Sequence, residues 1–280
     1  MDDRLAGLLR YFSVSARVFH SGPLCGRIEY AAEGGYLHVL RTGQVTVRSP
    51  MHAPLTVSGP AVVFYPRAAA HVFITRDNEA VDLVCARIDL GSAGGNPLAL
   101  ALPPVICIGL DGLPRLGSTI DMLLLEALEP HCGHQAAIDR LSELLLIQLL
   151  RHLLDERLAD TGLLAGLGDP RLAHALAAMH DAPARTWTLE ALAREAGMSR
   201  ARFARHFHDV VGETPLRYLA QWRVTVACTL LRKGKPVALV ANEVGYGGPT
   251  ALARAFRSVH GLSPREWIQR ERRGETASDV

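Results

Sequence analysis

Two patterns of hydrophobic and polar positions divide the chain. Over residues 12–110, short runs rich in Val, Ile and Leu are interrupted by Gly and Pro about every ten residues. This rhythm predicts the strands of a β-sandwich or small barrel. From about Ser118 onwards the apolar positions recur three or four residues apart, which is the spacing of amphipathic helices. We therefore expect an α+β protein of two domains.

The helical stretch at residues 116–160 has two interpretations. Its apolar stripe occupies positions 138, 141, 145, 149 and 153. Such a stripe is buried either against the barrel of its own chain or against the same stripe of a second subunit. The second alternative predicts a helical dimerisation segment and a homodimer.

The rest of the chain predicts a linker and a helical domain. Residues 161–170 are rich in Gly and end in Pro170, a composition typical of a linker. Residues 171–280 consist of short helical patterns. The predicted domain order is thus a barrel at 1–115, the helical segment, the linker and a C-terminal all-α domain.

Charge separates the same two parts. Residues 1–169 contain 13 Lys and Arg against 18 Asp and Glu, a balance of −5, whereas residues 170–280 contain 17 against 10, a balance of +7. A basic module joined to an acidic one suggests that the basic module binds nucleic acid.

An internal repeat organises the basic part. Gly197 recurs as Gly245, 48 residues later, and four further positions recur at a spacing of 49. Each copy has the pattern of a helix, a tight turn containing Gly and a second helix, which is the helix-turn-helix pattern. The extra residue of the second copy falls before Pro249, which suits the first position of a helix. The four positions are Phe203, Phe207, Gly212 and Pro215, repeated as Leu252, Phe256, Gly261 and Pro264.

These motifs resemble the DNA-binding domain of AraC/XylS-type transcriptional regulators. The resemblance covers about residues 170–270 and includes "GMSRARFARHF", "VGYGGPTALARAF" and the closing "GLSPREW". It implies two helix-turn-helix units joined by a long helix at about Pro215–Arg232. It also implies binding to double-stranded DNA and, for an activator, contact with RNA polymerase.

A recognition helix reads bases mainly from its N-terminal turns in the major groove. "GGPT" replaces the polar start in the second unit, so we expect the first unit to carry most base readout. The second unit would then mainly contact phosphates. The predicted DNA-binding residues are Ser199, Arg200, Arg202 and Arg205 in the first unit and Thr250, Ala251 and Arg254 in the second.

The N-terminal part resembles a cupin-type sensor domain. "GYLHVLRTGQVTV" and "GPAVVFYPRAAAHVF" are similar to the two halves of the cupin motif, with Gly59, Pro66 and His71 at the usual spacing. The resemblance implies a barrel that binds a small organic effector.

Two further hypotheses concern this barrel. His38, His71 and Cys85 lie on candidate inner strands, and imidazole and thiolate suit zinc or a related transition metal. The alternative is that each is simply a buried core residue. Cys25 and Cys85 would form a redox pair if the fold brings them together.

The function that follows is a DNA-binding transcription regulator that responds to a small-molecule, metal or redox signal. A cupin metalloenzyme fused to a DNA-binding domain is the alternative, carried by His38 and His71. We expect no enzyme, because the Walker, G-x-S-x-G and H-E-x-x-H motifs are missing. No apolar run reaches the roughly 18 residues of a membrane span, and the five scattered cysteines fit reduced thiols in a cytoplasm.

Overall fold

The β-rich part of the chain forms two antiparallel sheets. In the computed structural model, one sheet has the strand order β1-β8-β3-β6-β9 and the other the order β2-β7-β4-β5. The strands are β1 (Ser15–Leu24), β2 (Arg27–Tyr30), β3 (Gly35–Thr42), β4 (Gln44–Ser49), β5 (His52–Ser58), β6 (Ala61–Tyr65), β7 (His71–Thr75), β8 (Val81–Asp89) and β9 (Ile106–Gly109). The structure describes residues 3–12, 14–76, 79–91, 96–111, 113–128, 131–156 and 161–273.

The interior of this barrel is mostly apolar. Alternate residues of β3, β6 and β8 face inwards and pack against β4 and β7, because side chains alternate between the two faces of a strand. The core includes Tyr30, Tyr36, Leu40, Val45, Val47, Val63, Tyr65, Phe73, Leu83 and Cys85. The predicted barrel is therefore confirmed.

Two helices complete the N-terminal unit. α3 (Pro114–Leu128) and α4 (His134–Asp155) pack on each other and on β1, and the short α2 (Pro97–Ala101) lies between β8 and β9. Leu145 and Leu149 of the apolar stripe are fully buried inside this unit. The stripe therefore packs within its own subunit, and a dimer seam through these leucines is not what the structure shows.

The second unit contains the remaining helices. The chain divides into residues 13–156 and a unit of residues 1–12 with 157–280. Its helices are α1 (Ala6–Tyr11), α5 (Leu163–Gly168), α6 (Leu172–Asp181), α7 (Leu189–Glu195), α8 (Arg200–Val211), α9 (Pro215–Arg232), α10 (Val237–Glu243), α11 (Pro249–His260) and α12 (Pro264–Arg273). The two-domain α+β architecture predicted from the sequence is confirmed.

The segment predicted as a linker differs from that expectation. Residues 163–168 form α5, with Leu163, Leu164 and Leu167 buried. Gly166 allows this helix to pack closely, because a Cβ there would lie 2.7 Å from Leu176 Cδ1. The glycines that indicated a flexible connection instead permit close helix packing. Residues 157–160, at the end of the predicted helical segment, lie outside the described residues. The same is true of residues 274–280, at the end of the predicted C-terminal domain.

The N-terminal helix α1 belongs to the C-terminal unit and not to the barrel. Leu8 and Phe12 are buried there, and the rings of Tyr11 and Phe12 contact Trp222 at centroid distances of 6.0 and 5.8 Å. A Cβ on Gly7 would lie 2.6 Å from Cβ of His180, so only glycine permits this approach. The predicted barrel domain of 1–115 therefore begins too early, since the barrel starts with β1.

Within the described part of the chain, no helix combines the length and the hydropathy that a membrane span requires.

Candidate functional site

The two helix-turn-helix units have the same turn geometry. In the first, Gly197 has a φ of +61° and Met198 N–H donates to Ala193 O at 2.9 Å. In the second, Gly245 has a φ of +83° and Tyr246 N–H donates to Ala241 O at 2.8 Å. This left-handed residue with a backward hydrogen bond ends a helix and favours glycine. The repeat seen in the sequence is thus a structural repeat.

The second helices of the two units also begin and end at matching positions. α8 and α11 each span 12 residues and end at left-handed glycines, Gly212 and Gly261. Gly248 is the N-cap of α11 and Pro249 its first residue, as predicted. Ser199 occupies the N-cap of α8, but its side chain accepts no capping hydrogen bond and is exposed. Its hydroxyl group is therefore available to a partner.

The arginines of α8 differ in their surroundings. Arg200 forms an ion pair with Glu190 of α7, with Nη1 and Oε1 3.0 Å apart. Arg202 and Arg205 are exposed and line a groove of about 760 Å³ beside the start of α6. An arginine without an ion pair is free to bind a phosphate or a guanine edge, so Arg202 and Arg205 are the stronger candidates.

The second unit presents fewer polar groups. Thr250 and Arg254 are exposed and Ala251 is half-buried. All three lie on the first turns of α11, on the surface opposite the buried Leu252 and Phe256. The structure places every predicted DNA-binding residue on the outer surface of one of the two recognition helices.

Three residues of this surface were missed from the sequence. Asp169 accepts hydrogen bonds from the backbone N–H groups of Arg171 and Leu172 at 2.9 Å and lies 2.8 Å from His206 Nε2. It thereby fixes α8 against the start of α6, with Arg171 at the rim of the groove. The "GDPR" sequence, an Asp followed by Pro before a helix, is a helix-start signal that could have revealed it.

The surroundings of Asp169 keep it ionised. Partial burial alone would raise the pKa of this carboxyl group, but the N–H groups of Leu172 and Arg171 and the ring of His206 outweigh it. The pKa is therefore lowered.

In the barrel, the structure brings His38, His71 and Cys85 together in a hydrogen-bonded chain. His71 Nδ1 lies 2.9 Å from Ala69 O, and because a carbonyl only accepts, this nitrogen carries the proton. His71 Nε2 therefore accepts from His38 Nε2 across 2.8 Å, and His38 Nδ1 accepts from the Cys85 thiol across 3.1 Å. The hydroxyl group of Tyr30 donates to Cys85 Sγ across 3.4 Å.

The side chains of His38, His71 and Cys85 in this hydrogen-bonded chain are all neutral. Burial, with a smaller effect from His71, lowers the pKa of His38 well below its usual value of 6.5. Burial also lowers the pKa of His71 to about 4 and raises the pKa of Cys85 to about 12. A thiol with such a pKa stays protonated and unreactive.

The geometry does not fit the predicted zinc site. Two nitrogens bound to one tetrahedral zinc ion lie about 3.3 Å apart, whereas His38 and His71 are hydrogen-bonded at 2.8 Å. His38 also uses its two nitrogens on different partners, so the donor atoms do not converge. Among the described residues, no three His, Cys, Asp or Glu side chains are arranged to hold a metal ion.

The predicted redox pair is not brought together. Cys85 lies opposite His20, whereas Cys25 follows the end of β1 at Leu24. Five residues of extended chain span about 16 Å, and a disulfide requires Cα atoms within about 7 Å. Cys25 is exposed and Cys85 is buried.

Comparison with known proteins finds relatives for both the N-terminal and the C-terminal part of the chain. A cupin family model matches residues 3–155, and a helix-turn-helix domain model matches residues 192–270. An AraC-like transcription regulator of Streptomyces lividans is 33% identical over 84% of this chain and 78% of its own. The RCS-specific transcriptional activator RclR of Escherichia coli is 29% identical over 84% of each chain.

Among solved structures, the DNA-binding domain of AdpA in complex with a target DNA is 34% identical. The match covers 39% of this chain and 100% of the AdpA domain, with a TM-score of 0.35. From its match to the regulator of Streptomyces lividans and its paired helix-turn-helix units, this chain belongs to the family of AraC-like transcription regulators, with a cupin domain before the DNA-binding helices.

Proposed function

We propose that this protein is a homodimeric transcription regulator that binds double-stranded DNA through both helix-turn-helix units. The matched geometry of the two units on the basic part of the chain is the observation that carries the proposal. Base readout falls mainly to Arg202 and Arg205 with Ser199, because these side chains are exposed on the first turns of α8. Arg200 contributes less, since Glu190 already pairs with it.

The second unit mainly positions the protein on the DNA backbone. Thr250, Ala251 and Arg254 offer a hydroxyl group, a methyl group and one guanidinium group on the first turns of α11. Beside the first unit, Arg171 adds a further cation next to α8. Phosphate contacts of this kind fix register without carrying sequence information. Because its partner is chromosomal DNA, the protein works in the cytoplasm, and it contacts RNA polymerase where it activates.

Selection of binding sites from random duplexes tests this proposal. The full-length protein should enrich one motif with two half-elements about 34 Å apart on one face of the DNA. The Arg202→Ala and Arg205→Ala variants should relax the base preference at defined positions. Enrichment of no motif would contradict sequence-specific binding.

Dimerisation is proposed through the outer surface of the helical pair and not through the buried stripe. Met122 and Leu125 of α3 are 60% and 63% exposed, and Leu144 of α4 is 41% exposed. Large apolar side chains on neighbouring helices indicate an interaction surface. Light scattering of the Met122→Glu/Leu125→Glu double variant should give monomers. Met51→Glu, at a 58% exposed position elsewhere in the same unit, is the control. A dimer that survives the double variant would contradict this surface.

The N-terminal unit is proposed to sense an effector and to have no catalytic role. The side chains that supported a metalloenzyme, His38 and His71, hydrogen-bond to each other instead of converging on a common point. The effector would change DNA binding by its difference in affinity for two arrangements of the protein, and by no more than that difference.

A further inference from the structure

The turn of the second helix-turn-helix unit lies against the loop that leads into the first unit. This entry loop, residues 182–188, connects α6 to α7, and Thr188 at its end is the N-cap of α7. A Cβ placed on Gly245 would lie 2.8 Å from both Cα and O of Ala184. The backbones of the two units therefore touch at this point, and any side chain on Gly245 would push them apart.

Arg223 of the long helix α9 holds this contact together. Its Nε donates to Pro183 O at 2.8 Å, and its Nη2 donates to Arg185 O at 2.9 Å. The same guanidinium group lies over the ring of Tyr246, with Cζ 5.6 Å from the ring centroid, which is within the range of a cation–π interaction. Tyr246 follows Gly245 in the turn of the second unit. Because a planar guanidinium group bound to two carbonyl groups has one orientation, this link between the units is rigid.

The entry loop that Arg223 binds is itself fixed to the first unit. Trp187 Nε1 donates to Ala182 O at 3.0 Å across the loop. The guanidinium group of Arg185 lies 4.1 Å from the centroid of the Trp187 ring and pairs with Glu195 of α7 at 3.3 Å. A displacement at Arg223 would therefore reach α7, which packs on the recognition helix α8.

These contacts bear on the distance between the two recognition helices. The turn around Tyr246 leads directly into α11, whereas the entry loop leads through α7 to α8. Two helices held in one relation contact phosphates in one register, about 34 Å apart. Phosphates of one strand follow each other every ~3.4 Å along the helix axis. Units that turned independently about α9 would therefore contact several neighbouring phosphates equally well.

We propose that Arg223 is a positioning residue that determines at which distance from the first half-element the second unit contacts the DNA. The proposal rests on the proposed function, because it requires both units to bind one duplex. Arg223 acts through the entry loop and through the turn at Tyr246, and not as a reader of bases. Loss of its guanidinium group should leave each recognition helix able to bind, but remove the preference for one register of the second unit.

Duplexes with one neutral methylphosphonate in place of a phosphate test the proposal on the full-length protein. The methylphosphonate is moved along the selected duplex, and affinity is measured at each position at fixed salt. Wild-type protein should lose about tenfold in affinity at one or two adjacent positions about one helical turn from the first half-element, the effect of losing a charged hydrogen bond. In Arg223→Ala the loss should spread over neighbouring positions and stay below about threefold at each. Unfolded protein lowers binding to all duplexes alike, so the shape of this profile reports positioning and not stability.

Two comparisons separate the contact from its charge and from strain in the turn. Arg232→Ala removes another arginine of α9, whose partner is Glu271 of α12 at 2.7 Å, and should keep the sharp profile. Gly245→Ala pushes the turn against Ala184, whereas Gly197→Ala changes the equivalent left-handed position of the first unit, where a Cβ meets nothing within 4 Å. Both alanines have the same cost of a left-handed backbone, so only Gly245→Ala should broaden the profile.

A profile of Arg223→Ala as sharp as that of wild type would overturn the proposal and leave the DNA-binding function standing. Equal broadening by Arg232→Ala or by Gly197→Ala would also overturn it, since loss of charge or strain in a turn would then be sufficient. If Arg223→Ala bound too weakly for measurement, the comparison of the two glycine variants would decide alone. A wild-type profile without any loss beyond the first half-element would instead contradict binding through both units.

Discussion

The two units place their polar groups in opposite ways. The described residues of the N-terminal unit bury His38, His71, Thr75, Asn96, Thr119 and Ser142, whereas His180 is the one polar side chain buried in the described part of the C-terminal unit. The C-terminal core is instead built from aromatic rings such as Phe203, Phe207, Trp222 and Phe256. Its charges lie outside on α8 and α11, where DNA can meet them.

This difference shows how one chain can separate sensing from reading. A helical unit with a mostly apolar core holds its recognition helices in a fixed geometry and depends less on pH, because His180 is the one histidine among its buried described residues. A barrel with a hydrogen-bonded chain in its core depends on protons and polar contacts for its stability. The predictions below use this difference, from the largest expected effect to the smallest.

Acid should destabilise the N-terminal unit more than the C-terminal unit. Unfolded imidazoles take up a proton near pH 6.5, whereas burial lowers the pKa of His38 and lowers that of His71 to about 4. The unfolded state therefore binds more protons between these values, and stability present above pH 6.5 is lost as the pH falls towards 4. At about pH 5 the loss is about 2 kcal/mol for His71, and the lowered pKa of His38 acts in the same direction.

In the C-terminal unit, burial lowers the pKa of His180 to about 3, which contributes a comparable loss of about 2 kcal/mol. Burial also lowers the pKa of His260, but this residue is exposed, so its contribution is smaller. Calorimetry at about pH 7.5 and about pH 5 measures both effects. Tryptophan fluorescence identifies the C-terminal transition, because Trp187, Trp222 and Trp267 all lie in that unit. An equal loss in both transitions would contradict the comparison.

Displacing α1 should destabilise only the C-terminal unit. The Gly7→Leu variant places a side chain against the backbone of His180 and Asp181, which a Cβ would approach to 2.7 and 2.9 Å. Loss of the buried contacts of Leu8 and Phe12 should then cost roughly 3 kcal/mol or more. Chemical denaturation followed by tryptophan fluorescence measures it. Gly117→Ala in α3, where a Cβ meets nothing within 4 Å, is the control. A midpoint shift as small as that of the control would show that α1 does not contribute.

Cutting the hydrogen-bonded chain should destabilise only the barrel. Cys85→Ala leaves His38 Nδ1 without a donor and the Tyr30 hydroxyl group without an acceptor, at a cost of about 2 kcal/mol. Cys85→Ser keeps a donor and an acceptor at this position and should retain most of the stability. The two variants are compared by the midpoint of the barrel transition in calorimetry. Equal destabilisation by both would mean that volume, and not hydrogen bonding, matters here.

The smallest effect should be on DNA binding, where substitutions in the two recognition helices should have different consequences. Arg202→Ala should cost about 1–3 kcal/mol of discrimination at its base positions. Arg254→Ala should weaken binding by less, and uniformly across sequences, because it removes a phosphate contact. Binding to a panel of single-base operator variants at fixed salt measures both. A base-specific loss in Arg254→Ala would show that the second unit also reads sequence.

The helix-turn-helix units were predictable because their signals are local. Gly197 and Gly245 lie in the predicted tight turns, where both are left-handed, and α9 spans the predicted Pro215–Arg232. Each signal depends on a turn or a cap within a few residues, which sequence spacing describes well. The strands of the barrel were predictable for the same reason.

The errors concern contacts between distant residues. The sequence indicated that His38, His71 and Cys85 share the barrel interior, which is confirmed. It could not show that His38 points one nitrogen at each neighbour, because side-chain rotation decides this. The separation of Cys25 from Cys85 depends on the register of β1, which is set by pairing and not by composition.

The position of α1 has a consequence for the order in which the chain folds during translation. α1 ends at Tyr11, but its partner α6 begins at Leu172. At the usual rate of translation, α6 is synthesised roughly 8–30 s after α1. A helix of 6 residues is unstable by itself during that wait. The segment that leaves the ribosome before the barrel is thus among the last to reach its final place. The part of the C-terminal core that α1 completes closes only after α6 and Trp222 of α9 have been made.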